Sequence, residues 1–505
     1  MESTGLDRDA CLGIVREVAG RLFGAGDEAL SRTWVESATE LWAFATKAET
    51  TQALDSEAEA MAVARRAVAP LHQARLQKQI DRIDDASWGA SPCPRCGGAT
   101  ESQGRRKRQW KSLLGDLHLK RRDSHCWPCA MGHSPSLDAV GLGCGPFTPR
   151  FEEVVTMMAT TVPHGMAVRL AQEALGVQVS EKGVQQMVEV RAQGVIRCLL
   201  DDAQRCAPLD ETGRPVADPV RPVDAKTTVE RVAYLEMDGV VPMTREELVG
   251  KELSEADRRK QRRAKKARAR GGRGRRYRLV GREVKNAVLY SGSDCVQESA
   301  SRGCITEKHY VSHLGDWRQF ASLVWVELAR QNYDKAGQLV VLSDGSEWIR
   351  SVCESLPIGV LLILDLYHVK HRIWEVAHAL YGEHTAAARR WAETQCARIE
   401  AGEARQVIQS LRFLTPRTGS DEELIPALAD YLEGNLDRMD YPRYRAMGLR
   451  VGSGAVESAN YHVTGTRLKL QGMRWSEQGA REMAYLRADL FNNRWAARTR
   501  RLLAA

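Results

Sequence analysis

Two groups of residues in this chain could do chemistry by their type and spacing: paired cysteines near residue 100, and acids that close apolar runs in the second half. Cys93-Pro94-Arg95-Cys96-Gly97 and Cys126-Trp127-Pro128-Cys129 are two C-x-x-C pairs with 29 residues between them. Each pair can turn both thiolates onto one ion, and two pairs complete a tetrahedral Zn²⁺ site of structural type. His125 and His133 stand by as substitute ligands, and a pair of redox dithiols is the competing reading. Among the acids, Asp238 and Asp344 each precede a glycine after an apolar run, and Glu457 lies in Gly452-Ser453-Gly454-Ala455-Val456-Glu457-Ser458-Ala459-Asn460. Two close carboxylates repel each other, and a divalent cation relieves the repulsion. All-oxygen surroundings suit Mg²⁺ (or Mn²⁺), and a two-ion clamp activates water and stabilises the leaving oxygen of a phosphodiester. Asp238 and Asp344 would bridge the ions, and Glu457 would complete the shell of the second. Each acid also has a plainer reading. Asp-Gly after a strand is a common turn, Asp365 can cap the helix that follows it, and Glu236 and Glu347 compete for the same role.

The cations point to a polyanion. The chain has 505 residues, 73 Lys and Arg against 65 Asp and Glu, and a net charge of +8. Thirteen of the cations fall between Arg258 and Arg278 with no acid among them, which leaves the rest of the chain at −5. A dense Arg-rich band, here including Arg262, Arg263, Lys265, Lys266 and Arg268, on a mildly acidic body fits nucleic-acid contact better than general stickiness. A solvated linker is the plain alternative. Arg467, Lys469 and Arg474, with Trp475 beside them, form a second set suited to a phosphate backbone.

The elements that must position these groups follow from periodicity. Residues 1–85 read as helices with a scaffold or oligomerisation role, and 86–148 as a zinc ribbon whose hairpin links the cysteine pairs. Residues 149–206 read as helices. One runs from about Gly165 to Leu175, is stopped by Gly176, and is followed by a helix that Ser180 caps and that ends near Gln193. That is a helix-turn-helix pattern, in which Lys182, Gln185, Gln186 and Glu189 would reach a DNA edge, although any αα-hairpin reads alike. Residues 207–228 read as a Pro- and Asp-rich linker. From 229 to 380 the reading is a strand ending at Asp238, a second over Glu283–Tyr290 and a third near Val296–Ile305. A long helix over Val311–Asn332, a strand ending at Asp344, a short helix and a strand ending at Asp365 then follow. This is the order of an RNase H-like domain, in which Asp238 and Asp344 stand side by side. Residues 381–450 read as all-α with Trp391 in their core, and 451–505 as the completion of the domain. The fold class expected is therefore multidomain α/β.

Composition excludes several classes. At 43% hydrophobic and 27% charged, the chain is neither fibrous nor wholly disordered. No apolar run approaches the roughly 20 residues of a membrane-spanning helix, and the N-terminus lacks the pattern of a signal peptide, so a cytoplasmic, nucleoid-associated protein is expected. The eight cysteines outside the pairs show no pairing and are expected to remain reduced.

The segments Leu235-Glu236-Met237-Asp238-Gly239, Ser343-Asp344-Gly345-Ser346-Glu347-Trp348-Ile349, Ile363-Leu364-Asp365-Leu366-Tyr367-His368-Val369, Arg438-Met439-Asp440-Tyr441-Pro442, Gly452 to Ser458 and Arg467 to Trp475 together resemble DDE insertion-sequence transposases of the ISKra type, relatives of the Mutator-like group. The resemblance covers about Cys93 to Trp495. It implies a catalytic triad of Asp238, Asp344 and Glu457, a helical insertion before the glutamate, and Mg²⁺-dependent DNA cleavage and strand transfer. It also implies element ends and target DNA as partners, and at least a dimer on DNA. Asp365-x-x-His368 resembles the C/D-x-x-H element of Mutator-like relatives, which implies a structural or DNA-positioning role. The Arg-rich block has no counterpart in that pattern. A domesticated, non-catalytic DNA-binding protein and a nuclease without strand transfer are the alternatives.

Overall fold

The computed structural model describes residues 8–23, 28–45, 53–86, 92–143, 145–216, 219–247, 254–269, 277–299, 302–415 and 419–504. The fold is mixed α/β, mostly helical, with several small sheets. It forms two compact units, Met1–Met187 and Val188–Ala505. Among the described residues no helix is long and apolar enough to cross a membrane.

The first unit begins with helices Arg8–Phe23, Glu28–Ala45 and Ala53–Ala86. A three-stranded antiparallel sheet follows: β1 (Glu101–Ser112), β2 (Gly115–Cys126) and β3 (Met131–His133). Alternation along the hairpin turns Trp110, Leu117 and Leu119 inward, where they pack with Ile80, Leu137 and Leu142. The outer edge of β2 is closed by side chains of the long helix. Gln77 accepts from the Lys120 amide (2.8 Å) and donates to its carbonyl (2.7 Å), as a neighbouring strand would, and Gln73 and Asp84 accept from the His118 and Arg122 amides.

Helices Pro149–Thr161 and His164–Leu175 come next, and Gly176 ends the second in the left-handed conformation at φ 60°. Ser180 caps Glu181–Cys206 by accepting the Gly183 amide. That helix does not stop near Gln193. It runs on to Cys206 through Gly194, where a Cβ would lie 2.8 Å from Leu502, so the glycine marks a close approach rather than an end. The 207–228 segment is also not a free linker. Its backbone is tied down by Val220 to Cys206 and Lys226 to Arg330, and Arg221 forms a bidentate ion pair with Asp334.

The second unit contains β4 (Val232–Val240), β5 (Met243–Glu247), β6 (Tyr277–Gly281), β7 (Val284–Ser291), β8 (Cys295–Ser299), β9 (Arg302–Ile305), β10 (His309–Leu314), β11 (Gln338–Ser343), β12 (Val360–Leu364) and β13 (Trp475–Ser476). The central sheet has the order β10-β7-β4-β11-β12, antiparallel on the β7 side of β4 and parallel on the β11 side. The third strand of this sheet is His309–Leu314, not Val296–Ile305, whose described residues form β8 and β9, paired with each other in a separate two-stranded sheet. The following helix starts at Trp317 rather than Val311, because Gly315 at φ 152° turns the chain and Asp316 accepts the Arg318 amide as N-cap. Both faces of the sheet are covered. Leu235, Met237 and Val341 pack on the Trp317–Gln331 side, while Tyr234, Val340 and Leu342 pack on the side of Leu366–Tyr381. The latter core continues into the helices of 381–450 (Ala386–Glu400, Ala404–Arg412, Gly419–Glu433 and Tyr441–Ala446), with Trp391 packed against Tyr381. Continuous apolar strands are what a sheet covered on both faces requires.

Candidate functional site

Strand alternation puts Glu236 and Asp238 on the face of β4 that carries Tyr234, opposite Leu235 and Met237. Leu342 of β11 lies across from Glu236, so Asp344 follows Leu342 as Asp238 follows Glu236, and the two aspartates leave neighbouring strands at the same end. The backbone bends at Gly345 (φ 92°), and the Asp344 carboxylate accepts from the Ser346 amide (2.9 Å) and hydroxyl (2.8 Å). Tyr431, from the helical segment, donates to the Asp344 carbonyl. Glu457 sits in the short helix Gly454–Ala459, exposed, with its carboxylate 3.4 Å from His368 Nε2.

Electrostatics links these groups. Burial pushes the Asp238 carboxyl up to about 6, and the carboxylates of Asp344 and Glu457 push in the same direction. The Gly239 amide and the His368 imidazole act against them. Asp238 is held on both oxygens: one accepts the Gly239 amide (2.7 Å) and the other the Asn460 side-chain amide (2.6 Å). Asn460 Oδ1 accepts in turn from Asn286 (2.7 Å), whose own oxygen takes the Ser312 and Thr464 hydroxyls. Sequence reasoning missed this asparagine chain. The signal available was Asn460 three residues after Glu457, on the same helical face. Asn460 also opens a π-helical turn, Asn460–Gly465, whose freed carbonyls at His462 and Val463 accept from the buried Arg487.

The rival acids have other work. Glu236 is fully buried, accepts from Tyr290 OH and from the Val456 amide, and burial pushes its carboxyl up to about 7. Asp365 is buried as well: one oxygen accepts the Tyr367 and His368 amides, and the other takes the Ser453 amide and hydroxyl. Both therefore bind donors at the start of the helix that carries Glu457, where four amides lack helical partners. Through these bonds both acids fix the start of the helix that carries Glu457. Asp365, His368 and Glu457 each offer an atom within 4.8 Å of the others and could hold a metal ion, while Asp365 also accepts the capping amides. Glu347 is exposed at the start of helix Glu347–Ser355. Asp238, Asp344 and Glu457 offer only oxygen, but they do not form a group with ligand atoms within 4.8 Å of one another.

The basic run is a helix, Glu255–Ala269, between β5 and β6. Those two strands pair with each other, and β5 pairs in parallel with β13, which contains Trp475. Arg262, Arg263, Lys265 and Lys266 are exposed, while the Arg268 side chain and residues 270–276 lie outside the described residues. Of the second basic set, Lys469 is exposed and Arg474 half-buried. Arg467 is not a backbone contact: only 1% of it is accessible, it lies over Trp475, and burial together with Arg487 lowers its guanidinium to about 10. In the first unit, Lys182 and Gln185 are exposed in the opening turns of their helix.

The four paired cysteines converge, with their sulfurs within 4.8 Å of one another, and they could hold a structural zinc ion. Cys96 and Cys126 Sγ are 3.7 Å apart, and the Arg95 and Gly98 amides donate to Cys93 and Cys96 Sγ at 3.4 Å, as a metal knuckle requires. His125 and His133 stand outside this group. Compared with known proteins, the chain matches no family model and no curated protein.

Proposed function

We propose that this protein is a DDE-type DNA transposase built on an RNase H-like sheet. The observation that carries the reading is the convergence on Asp238. The carboxylates of Asp344 and Glu457 both help to push its carboxyl up, although Asp238 and Glu457 lie more than 200 positions apart in the chain. The mixed sheet order, with Asp238 and Asp344 on adjacent central strands and Glu457 on a helix after an all-α segment, supports it further.

In this reading Asp238, Asp344 and Glu457 would hold Mg²⁺ or Mn²⁺, which when bound supplies an acidified water and neutralises charge on the phosphodiester. Asn460 and Gly239 fix the Asp238 rotamer, Ser346 fixes Asp344, and Glu236 with Asp365 anchor the glutamate helix. Preorganised donors of this kind remove the cost of arranging ligands during the reaction. The reaction is hydrolysis of one phosphodiester at an element end. The 3′-OH set free then attacks a target phosphodiester and displaces that strand's 3′ oxygen. The exposed cations of the Glu255–Ala269 helix would hold the DNA backbone, and two ends cut in concert would require at least a dimer on DNA.

The test uses the full protein with a plasmid carrying its gene's genomic flanks, in Mg²⁺ or Mn²⁺, beside Asp344→Ala. A metal-dependent break leaving a 3′-OH at the flanks, absent in the variant, together with joined products, is expected. Breaks without joined products would reduce the reading to a nuclease. Tight binding with no break would make it a DNA-binding protein.

A further inference from the structure

The ribbon hairpin carries a charge arrangement that zinc binding does not use. Residues 101–126 hold eight cations and three acids. The register places them in three consecutive cross-strand pairs of like charge: Arg105 opposite Arg122, Arg106 opposite Arg121, and Lys107 opposite Lys120. Like charges directly opposite in a ladder destabilise it, by up to about 1 kcal/mol a pair. Two of the pairs are partly neutralised, Arg105 by Asp81, Asp84 and Asp85, and Arg121 by Asp123. The third is not. Lys107 and Lys120 are exposed, and among the described residues neither ammonium has an ion-pair partner.

The face that carries this pair also forms a groove. Alternation along the two strands places Lys107 and Lys120 on the same side as Arg105 and Arg122, opposite Arg106 and Arg121. Lys107 and Lys120 line a groove of about 720 Å³ together with Arg105, His118 and Gln109. Exposed cations along such a groove suit the phosphates of a nucleic-acid backbone. Charged residues on a strand edge also discourage edge-to-edge association, but Lys120 lies on the strand whose edge Gln77 already closes.

We propose that the hairpin face around Lys107 and Lys120 is a phosphate-binding surface for double-stranded DNA, separate from the basic helix Glu255–Ala269. This deepens the transposase reading by naming a second DNA contact, and it rests on that reading only for the choice of DNA. Each lysine bound to a phosphate adds about 0.9 to the slope of log affinity against log salt, so the pair contributes about 1.8, or roughly 30-fold in affinity at 0.15 M salt.

The experiment is fluorescence anisotropy of the full-length protein on a labelled DNA duplex between 50 and 200 mM salt (a range chosen on the order of the physiological value). It compares wild type, Lys107→Gln/Lys120→Gln and the charge-matched control Lys226→Gln/Lys335→Gln. Unchanged zinc content and melting temperature establish that the ribbon variant is folded. A slope reduced by about 1.8 in the ribbon variant alone is expected. An unchanged slope, or an equal change in the control, overturns the inference. The binding assay needs no cleavage, so a ribbon effect without DNA breakage leaves this surface standing while the transposase reading falls.

Discussion

His313 offers a quantitative test of how the sheet is packed. It lies on β10 with 2% of its surface accessible, and its Nδ1 is 2.7 Å from Tyr485 OH. Burial lowers its imidazole to about 4, and the nearby Arg481 and Lys285 cations lower it further against the opposing effect of Asp316. An unfolded histidine titrates near 6.5. Between these values the unfolded chain binds more protons than the folded one, so this residue makes stability rise with pH from about 4 to about 6.5 and adds nothing above. Relative to neutral pH, the loss at pH 4.5 is about 2.5 kcal/mol, taking about 1.36 kcal/mol per pH unit. His313→Gln keeps a polar partner for Tyr485 and removes the titration. Urea unfolding of both proteins from pH 4.5 to 7.5 should give curves that converge or run parallel above about pH 6.5 and diverge below it by about 2.5 kcal/mol, with the variant the less acid-sensitive. Profiles that stay parallel across the whole range would refute the argument, because they would mean that the imidazole takes up its proton in the folded state as readily as in water.

The other predictions are simpler. Glu327, 3% accessible, is held by Arg330 (2.7 Å) and Arg494 (2.6 Å), so Glu327→Ala strands two buried guanidiniums and should cost about 3–5 kcal/mol in urea unfolding. Elemental analysis should find about one zinc per chain, absent after Cys126→Ser, with a chelator releasing it and unfolding the ribbon. Asn460→Ala removes the side-chain donor to Asp238, and Mn²⁺ titration followed by electron paramagnetic resonance should show about tenfold weaker binding. Arg467→Gln should lower the melting temperature and leave the salt dependence of DNA binding unchanged, since the buried side chain cannot reach a phosphate.

Legibility differed between elements for identifiable reasons. The cysteine pairs could be read because two local spacings sufficed, and the hairpin between them because Leu117 and Leu119 alternate as strand residues do. The β10 strand was hidden because Val311 and Leu314 also suit a helix, and only Gly315 with Asp316 marks where strand ends and helix begins. The helix expected to end near Gln193 runs on to Cys206, and Gly194 within it marks a close approach to Leu502 that sequence alone does not show. Arg467 was read as a DNA contact from its charge, and burial against Trp475 makes it a core residue.

Residue type and spacing alone determined which groups could do chemistry: four thiols for one soft ion, three carboxylates for hard ions, and an Arg-rich run for a polyanion. These rest on short-range patterns and on charge, both carried by the chain before it folds. Tertiary structure decided how the acids divide their labour. Glu236 and Asp365 cap the glutamate helix, and Asn460 with Asn286 ties that helix to Asp238. These pairings span up to 222 positions, and a carboxylate's role depends on which donors the folded chain brings to it.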